Sequence, residues 1–171
     1  MIKRPLPADH PAYYETYIKL VKEDDALKAL DNGIFKMPAL LSEIDEEKED
    51  YAYAPGKWTI KEVIGHIIDT ERIMAYRALC FARGDAQELP GFDENSYVKN
   101  ANFSKQRLID MGHEFSVMRK SNIYLFKSFD EGELDRKGIA NKNKMNVRSL
   151  IYVIAGHQLH HMNVIRERYL E

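Results

Sequence analysis

Residues 151–168 read IYVIAGHQLHHMNVIRER, and the spacing of their apolar side chains and histidines decides the fold. At about 100° per residue, His157 and His161 lie one turn apart on the same face of a helix. Four apolar side chains share that face within about 60° of His157. They are Leu150, Val153, Ile154 and Val164. The stretch therefore predicts a helix that buries two imidazoles along an apolar stripe.

The buried histidine pair has two interpretations. A buried imidazole needs a hydrogen-bond partner or a metal ion. Two histidines at i and i+4 form a common bidentate arrangement for a divalent transition metal. The pair can also be two hydrogen-bonded histidines of an ordinary core. The pair alone leaves both interpretations open, and a third histidine far upstream favours the metal.

Four long segments carry apolar residues with a helical period. They are residues 24–45, 60–83, 104–129 and 147–169. A kink or brief interruption is expected near Pro38 in the first. Thr59 and Glu62 form the signature of a capping box at the start of the second, and Ser104 and Asn146 are the expected N-caps of the third and fourth. No segment has a strand pattern, so the sequence predicts an all-α four-helix bundle that forms a single domain over residues 1–171.

The segments between these helices are expected to be irregular, apart from a short helix over residues 13–21. Residues 1–11 carry three of the prolines and predict an extended arm. Residues 84–103 and 130–145 show no clear period and predict two long connections. A loop as long as 84–103 is usually functional or a crossover between distant helix ends.

Composition excludes several classes of protein. A formal net charge of −2 provides no basic surplus for binding a phosphate backbone, which makes nucleic acid an unfavourable partner. No apolar run approaches the roughly 20 residues of a membrane span, and the first ten residues lack the apolar core of a signal peptide. The single cysteine, Cys80, excludes an intrachain disulfide. These features predict a cytoplasmic protein.

His66 is the third histidine, and it lies about 10 Å along the second predicted helix from its start. His157 and His161 lie at a comparable level of the fourth, so the three imidazoles converge if these helices are antiparallel neighbours. Gly65 and Gly156 precede two of the histidines. A glycine inside a helix costs about 1 kcal/mol relative to alanine, so we expect each to allow close approach of a backbone or a ligand. Together these features predict a three-histidine metal site.

Three stretches resemble the DinB-like (YfiT-like) superfamily of four-helix metalloproteins. They are WTIKEVIGHIIDTERIMAYR at 58–77, LPGFDENSYV at 89–98 and IAGHQLHHMNVIRERYL at 154–170. The resemblance implies an up-down-down-up bundle in which helices two and four are antiparallel, with a long crossover between helices two and three. It also implies that Zn²⁺ or Ni²⁺ is bound by His66, His157 and His161.

The same resemblance implies an activity. Members of the superfamily include thiol S-transferases that use bacillithiol or glutathione and a mycothiol-dependent maleylpyruvate isomerase. The lead hypothesis is therefore a transferase that joins a low-molecular-weight thiol cosubstrate to an electrophile. Three nitrogen ligands leave coordination positions open, as at catalytic metals, and a bound water or thiol would have a lowered pKa. A metal-dependent hydrolase and a non-catalytic metal-binding protein stay open as alternatives.

Residues beside the three histidines have weaker assignments. His160 lies about 60° from His157, so ligation through it is geometrically possible, although the H-x-x-x-H pattern of the superfamily favours His161. Asp69 and Thr70 lie on the face of His66 and are candidates to orient its ring. Asp69 can alternatively pair with Arg72 or Lys61.

Three further polar residues are not predicted to be ligands. Glu71 lies about 140° around the helix from His66. His113 falls on the polar side of the third helix. Arg119 matches an arginine of the superfamily, with no role that the sequence assigns.

The second half of the 84–103 connection is expected to form a wall or lid of the substrate pocket. A linker of this length can travel back along the second helix and start the third helix parallel to it. The pocket candidates are Trp58, Phe92, Asn95 and Tyr97. The alternative is that the linker is only a crossover. Because the first two bundle helices carry more apolar surface than one bundle face needs, we also expect a homodimer.

Overall fold

The computed structural model describes residues 1–170, and within them the fold is built almost entirely from helices. The helices are α1 Glu15–Ile18, α2 Ala26–Leu41, α3 Ile60–Ala82, α4 Glu94–Ala101, α5 Leu108–Lys127, α6 Glu131–Asp135 and α7 Val147–Ile165. Two short strands, β1 Lys137–Ala140 and β2 Asn143–Asn146, form an antiparallel hairpin. None of the helices in residues 1–170 is long and apolar enough to cross a membrane.

The bundle helices α2, α3, α5 and α7 run up, down, down and up. The antiparallel arrangement of α3 and α7 brings His66 opposite His157. It also brings the end of α7 to the start of α3, where the Tyr169 hydroxyl donates to the Trp58 carbonyl at 2.7 Å. The N-terminal halves of α3 and α5 share one apolar cluster and their C-terminal halves share another, so these two helices are parallel. The predicted bundle topology is confirmed.

The core consists of two apolar clusters separated by a polar layer. One cluster contains Phe81, Phe126 and the first half of α7, and the other contains Ile64, Phe115 and the end of α7. The gap between the clusters contains buried polar side chains from three of the bundle helices. They are His66, Thr70, Glu71, Arg119, His157 and Gln158. The candidate site therefore lies across the middle of the bundle.

Two of the predicted helix starts are confirmed. Glu62 N donates to Thr59 Oγ1 and Thr59 N donates to Glu62 Oε2, which completes the capping box at the start of α3. Asn146 Oδ1 accepts from the backbone of Ser149 at 2.9 Å and caps α7. The expected cap at Ser104 is wrong. Ser104 lies in a 3₁₀ turn over Phe103–Lys105, and α5 starts only at Leu108.

The first bundle helix is shorter than predicted. It spans Ala26–Leu41 without interruption, with Pro38 inside its last turn. The turn before Pro38, which a proline would disturb, stays helical, and the helix ends at Leu41 rather than at residue 45. The short helix expected at residues 13–21 is reduced to α1, which follows a 3₁₀ turn over Ala12–Tyr14.

Both connections contain regular structure that the sequence analysis missed. The first contains α4, which Asp93 caps by accepting from the backbone of Ser96 at 3.0 Å. The second contains α6 and the β1–β2 hairpin. Asn141 and Lys142 have φ values of 50° and 60°, as a two-residue hairpin turn requires. The strands are too short to show an alternating pattern, and the expectation of no strand was wrong.

The hairpin holds the first connection against the bundle. The Ile139 carbonyl accepts from the backbone of Leu89, and the Leu89 carbonyl accepts from the backbone of Asn141, both at 2.9 Å. Gly138 allows the hairpin to lie on the Phe81 ring, because a Cβ at this position would lie 2.1 Å from that ring. Tertiary contacts therefore order a segment that looks irregular in the sequence.

Candidate metal centre

The three predicted histidines converge at the polar layer. His66 comes from α3, and His157 and His161 come from α7. His157 Nε2 lies 3.0 Å from His66 Nε2 and 3.1 Å from His161 Nε2. One ring nitrogen from each of the three side chains lies within 4.8 Å of the others. We call these three residues the histidine cluster.

The donor set of the histidine cluster fits a divalent transition metal. With metal–nitrogen distances of about 2.0–2.1 Å, the nitrogens of a tetrahedral site lie roughly 3.3 Å apart, close to the spacing found here. Burial lowers the pKa of His66 to about 4 and that of His161 to about 3, and it lowers the pKa of His157 well below its ordinary value. The imidazoles are therefore neutral at physiological pH and offer lone pairs, as metal ligation requires.

Thr70, rather than Asp69, contacts the His66 ring. Thr70 is buried and its Oγ1 lies 3.4 Å from His66 Nδ1. Asp69 instead pairs with Arg72 at 3.6 Å, as the alternative interpretation had it. At 100° per residue, position i+4 lies about 40° from His66 and position i+3 about 60° to the other side, which turns the Asp69 side chain towards the surface.

Two further histidines that the sequence singled out, His160 and His113, lie outside the histidine cluster. The ring of His160 lies 4.9 Å from that of His161 and 5.5 Å from that of Tyr17, between centroids. His160 is partly buried and is not one of the three residues whose ring nitrogens converge. His113 is exposed on α5.

The two glycines beside the histidines allow close packing of the protein itself. A Cβ on Gly156 would lie 2.1 Å from the backbone oxygen of Tyr17, and a Cβ on Gly65 would lie 2.3 Å from the ring of Phe103. Gly156 thus lets the chain at Tyr17 approach α7, where the Tyr17 ring packs 5.4 Å from that of His157. The close approach expected at these glycines involves backbone and an aromatic ring, not a ligand.

Two cavities reach the histidine cluster and share no lining residue. The tyrosine cavity, of about 220 Å³, is lined by His66, His157, Tyr17, Arg77, Phe92 and Glu94, among others. The tryptophan cavity, of about 320 Å³, is lined by His161, His160, Trp58, Tyr53, Asn95 and Tyr169, among others. The cluster therefore lies between two separate spaces, each of which contacts different histidines.

Three of the four predicted pocket residues lie at these cavities. The Trp58 ring packs on His66 with 4.8 Å between centroids, Phe92 lines the tyrosine cavity and Asn95 lines the tryptophan cavity. Tyr97 lies outside both, packs edge-on against Phe92 at 5.3 Å and remains about half exposed. The second half of the connection thus reaches the histidine cluster, with α4 supplying Asn95.

A buried ion pair beside the cluster was missed by sequence reasoning. Arg119 is fully buried and donates two hydrogen bonds of 2.7 Å to the Glu71 carboxylate. Its Nη1 donates to Gln158 Oε1 at 2.8 Å, and Gln158 directly follows His157. Both helices carry several other charged residues, so the pairing of Arg119 with Glu71 could not be identified without the fold. Arg119 thus holds α7 at the level of the cluster.

Comparisons with known proteins find relatives described as metal-dependent hydrolases and a thiol-dependent isomerase. A relative from Oceanobacillus iheyensis, named as a proposed metal-dependent hydrolase, is 21% identical over 143 residues, or 82% of this chain and 81% of the relative. The solved structure of YfiT from Bacillus subtilis, described as a probable metal-dependent hydrolase with an unusual four-helix bundle topology, matches with a TM-score of 0.73 and 16% identity, over 83% of this chain and 82% of that chain. The solved structure of a mycothiol-dependent maleylpyruvate isomerase matches with a TM-score of 0.64 and 13% identity. The match covers 81% of this chain and 58% of that chain.

The two structural likenesses support the four-helix fold. The family assignment comes from the sequence, because the model of the DinB superfamily matches residues 29–165, which is most of the chain. The chain belongs to the DinB superfamily.

Proposed function

We propose that this protein is a divalent-metal-dependent thiol S-transferase whose ligands are His66, His157 and His161. The observation that supports transfer is the presence of two cavities that reach the histidine cluster through different side chains. A reaction between a thiol and an electrophile needs two organic substrates at one centre. Hydrolysis needs one organic substrate and water, and that single substrate would have to span both cavities.

The two cavities differ in a way that suits different substrates. The tyrosine cavity carries the charged side chains of Arg77 and Glu94, which suits a polar thiol cosubstrate. The tryptophan cavity is walled by Trp58, Tyr53 and Tyr169, whose aromatic surface suits an apolar electrophile. A divalent ion such as Zn²⁺ or Ni²⁺, when bound, would lower the pKa of the thiol so that it reacts as the thiolate.

Surrounding side chains have supporting roles in this proposal. Thr70 orients the His66 ring, and Trp58 packs against that ring at an angle of 46° and shields it from water. The hydrogen bond from the Tyr169 hydroxyl to the Trp58 carbonyl holds the tryptophan in place. Burial raises the pKa of Tyr17, so its hydroxyl stays protonated, and it forms a hydrogen bond of 2.9 Å with the Tyr13 hydroxyl at the tyrosine cavity.

A turnover screen tests this function. We expect the protein loaded with Zn²⁺ or Ni²⁺ to conjugate monochlorobimane with at least one of bacillithiol, mycothiol or glutathione. Replacement of Phe92 or Asn95 by alanine should lower kcat/KM roughly tenfold, the equivalent of one lost contact of about 1.4 kcal/mol, without releasing the metal. Asn100→Ala, an exposed change on the same helix as Asn95, is the matched control.

Two outcomes would contradict the transferase proposal. One is metal-dependent cleavage of ester or amide substrates in the absence of any thiol, together with no conjugation, which would favour the hydrolase. The other is wild-type kinetics in both the Phe92 and the Asn95 variants, which would show that neither cavity binds a substrate.

We also propose that the protein forms a homodimer. The apolar surface of α3 is largely covered within the chain, because Phe103 packs over Gly65 and the hairpin lies on Phe81. The exposed apolar side chains that support a dimer lie instead on α2 and α5, where Phe35, Val117 and Tyr124 are each about 70% exposed or more. Val117 and Tyr124 are seven residues apart and share one helix face.

Light scattering tests the dimer. At micromolar concentration we expect a mass about twice the 19.9 kDa of one chain, and Val117→Glu should shift it towards that of one chain. A wild-type mass of one chain at the same concentration would refute the dimer.

A further inference from the structure

Arg77 differs from the other buried cationic side chains in residues 1–170. Lys61 pairs with Glu49 and Asp50, Arg119 with Glu71, and Arg148 with Glu131 and Asp135. Arg77 is only 4% exposed, yet it forms no ion pair within this part of the chain.

The hydrogen bonds of Arg77 leave most of its guanidinium unused. Nη2 donates to the Pro90 carbonyl at 2.8 Å, and Nη1 lies 3.7 Å from Met74 Sδ, a weak acceptor. The Phe92 ring centroid lies 6.0 Å from Cζ. A guanidinium has five N–H donors in a planar fork that matches a carboxylate or phosphate. A buried cation without an anion is unfavourable, so its place in the fold indicates an anionic ligand.

The pKa values show the same contrast. Burial lowers the pKa of Arg77. At Arg148 and Lys61, burial also opposes the charge, but hydrogen bonds to carboxylates outweigh it and raise the pKa.

The position of Arg77 connects it with the histidine cluster. His66, Thr70, Met74 and Arg77 all line the tyrosine cavity and lie on one face of α3, within about 80°. The backbones of His66 and Arg77 are about 16 Å apart along the helix axis. Helical side chains tilt towards the N-terminus, which turns the Arg77 guanidinium towards His66. A ligand of on the order of 10 Å could therefore reach both groups.

We propose that Arg77 is the anion-binding subsite of the tyrosine cavity and holds a carboxylate or other oxyanion of the thiol cosubstrate. The proposal rests on the proposed function, because it places the reacting sulfur of the same molecule at the histidine cluster. Glu94 lies on the exposed rim of the same cavity, where solvent screens its charge. The substrate class is an elongated small thiol with an anionic group at the end remote from the sulfur.

Two thiols of equal length test this subsite without a turnover assay. Mercaptohexanoate ends in a carboxylate and mercaptohexanol in a hydroxyl, and the cobalt–thiolate absorption band of the Co²⁺-loaded protein reports the binding of either. We expect the wild type to bind mercaptohexanoate about ten- to a hundredfold more tightly, as for a hydrogen-bonded ion pair. Arg77→Met should abolish this preference, and it should weaken the binding of mercaptohexanoate far more than that of mercaptohexanol.

Matched variants separate binding from folding. Arg72→Met removes an exposed arginine of the same helix and should keep the full preference. Arg77→Lys keeps the positive charge but lacks the planar fork of a guanidinium, so this variant should keep part of the preference for mercaptohexanoate. Circular dichroism and cobalt stoichiometry show whether each variant is folded. Equal affinity of the wild type for the two thiols, or an undiminished preference in Arg77→Met, would overturn the proposal.

A second measurement is independent of the metal and of thiol chemistry. We expect adipate, but not hexanediol, to shift the Arg77 Nε–H resonance in an NMR titration of the 171-residue chain as purified. No shift at Arg77 with adipate would also overturn the subsite. If neither thiol produces a cobalt–thiolate band, the proposed thiol chemistry fails, and the NMR titration still decides whether Arg77 binds an anion.

Discussion

Replacing His66, His157 or His161 singly by alanine is expected to abolish stoichiometric binding of a divalent metal ion. Each histidine supplies one of three converging nitrogens, and burial holds all three imidazoles neutral. With two ligands left, a water would replace an imidazole that the fold holds in position, and the affinity for the metal would fall. Loss of a partner that merely orients a ligand costs about 10- to 100-fold in metal affinity, so loss of a ligand should cost more.

Titration calorimetry and the metal content after dialysis measure this effect. His113→Ala removes an exposed histidine and should bind metal like the wild type. His160→Ala is the stricter control, because its ring lies 4.9 Å from that of His161 without belonging to the histidine cluster. Stoichiometric binding retained in His66→Ala would show that α3 does not supply a ligand.

Arg119→Met is expected to lower the free energy of unfolding by about 3–5 kcal/mol, the usual cost of removing one partner of a buried ion pair. Glu71 is 2% exposed, and after the substitution its carboxylate would keep only the 3.0 Å hydrogen bond from Asn122. Gln158 Oε1 would lose its donor in the same step. An uncompensated charge in the polar layer, rather than lost apolar contact, is the reason for the size of the effect.

Urea unfolding measures this loss, and two comparisons identify its cause. The exposed pair of Arg107 and Asp110 is the matched control, and Arg107→Met should change stability by about 1 kcal/mol or less. The double change Glu71→Met with Arg119→Met should be less destabilising than the sum of the single changes, because no unpaired charge remains. Additive losses in the double variant would show that the two side chains act independently.

Local patterns in the sequence predicted the bundle helices and the start of α3. The spacing of His157 and His161 placed both on one helix face, and the pairing of Thr59 with Glu62 located the start of α3. These features depend on residues a few positions apart, whose geometry the helix itself defines. The convergence of His66 with them required one further assumption, the antiparallel arrangement of α3 and α7, which the resemblance to the DinB-like superfamily supplied.

Predictions from the sequence were wrong where long-range contacts override the local preference of the chain. Ser104 has the chemistry of an N-cap, but the burial of Phe103 against Gly65 forms a 3₁₀ turn there and delays the helix. The hairpin strands are too short to show a period, and pairing with Leu89 orders them. In each case the deciding partner lies far away in the chain.

The sequence by itself determined the four bundle helices and the placement of His157 and His161 on one helix face, because helical periodicity and capping are local properties. Only the tertiary structure decided which buried charges are paired. Arg119 and Glu71 are 48 residues apart and meet across the bundle, whereas Arg77 faces a cavity without a carboxylate partner in residues 1–170. Burial and pairing of a charge depend on what the other helices place around it, and no spacing within one helix encodes that.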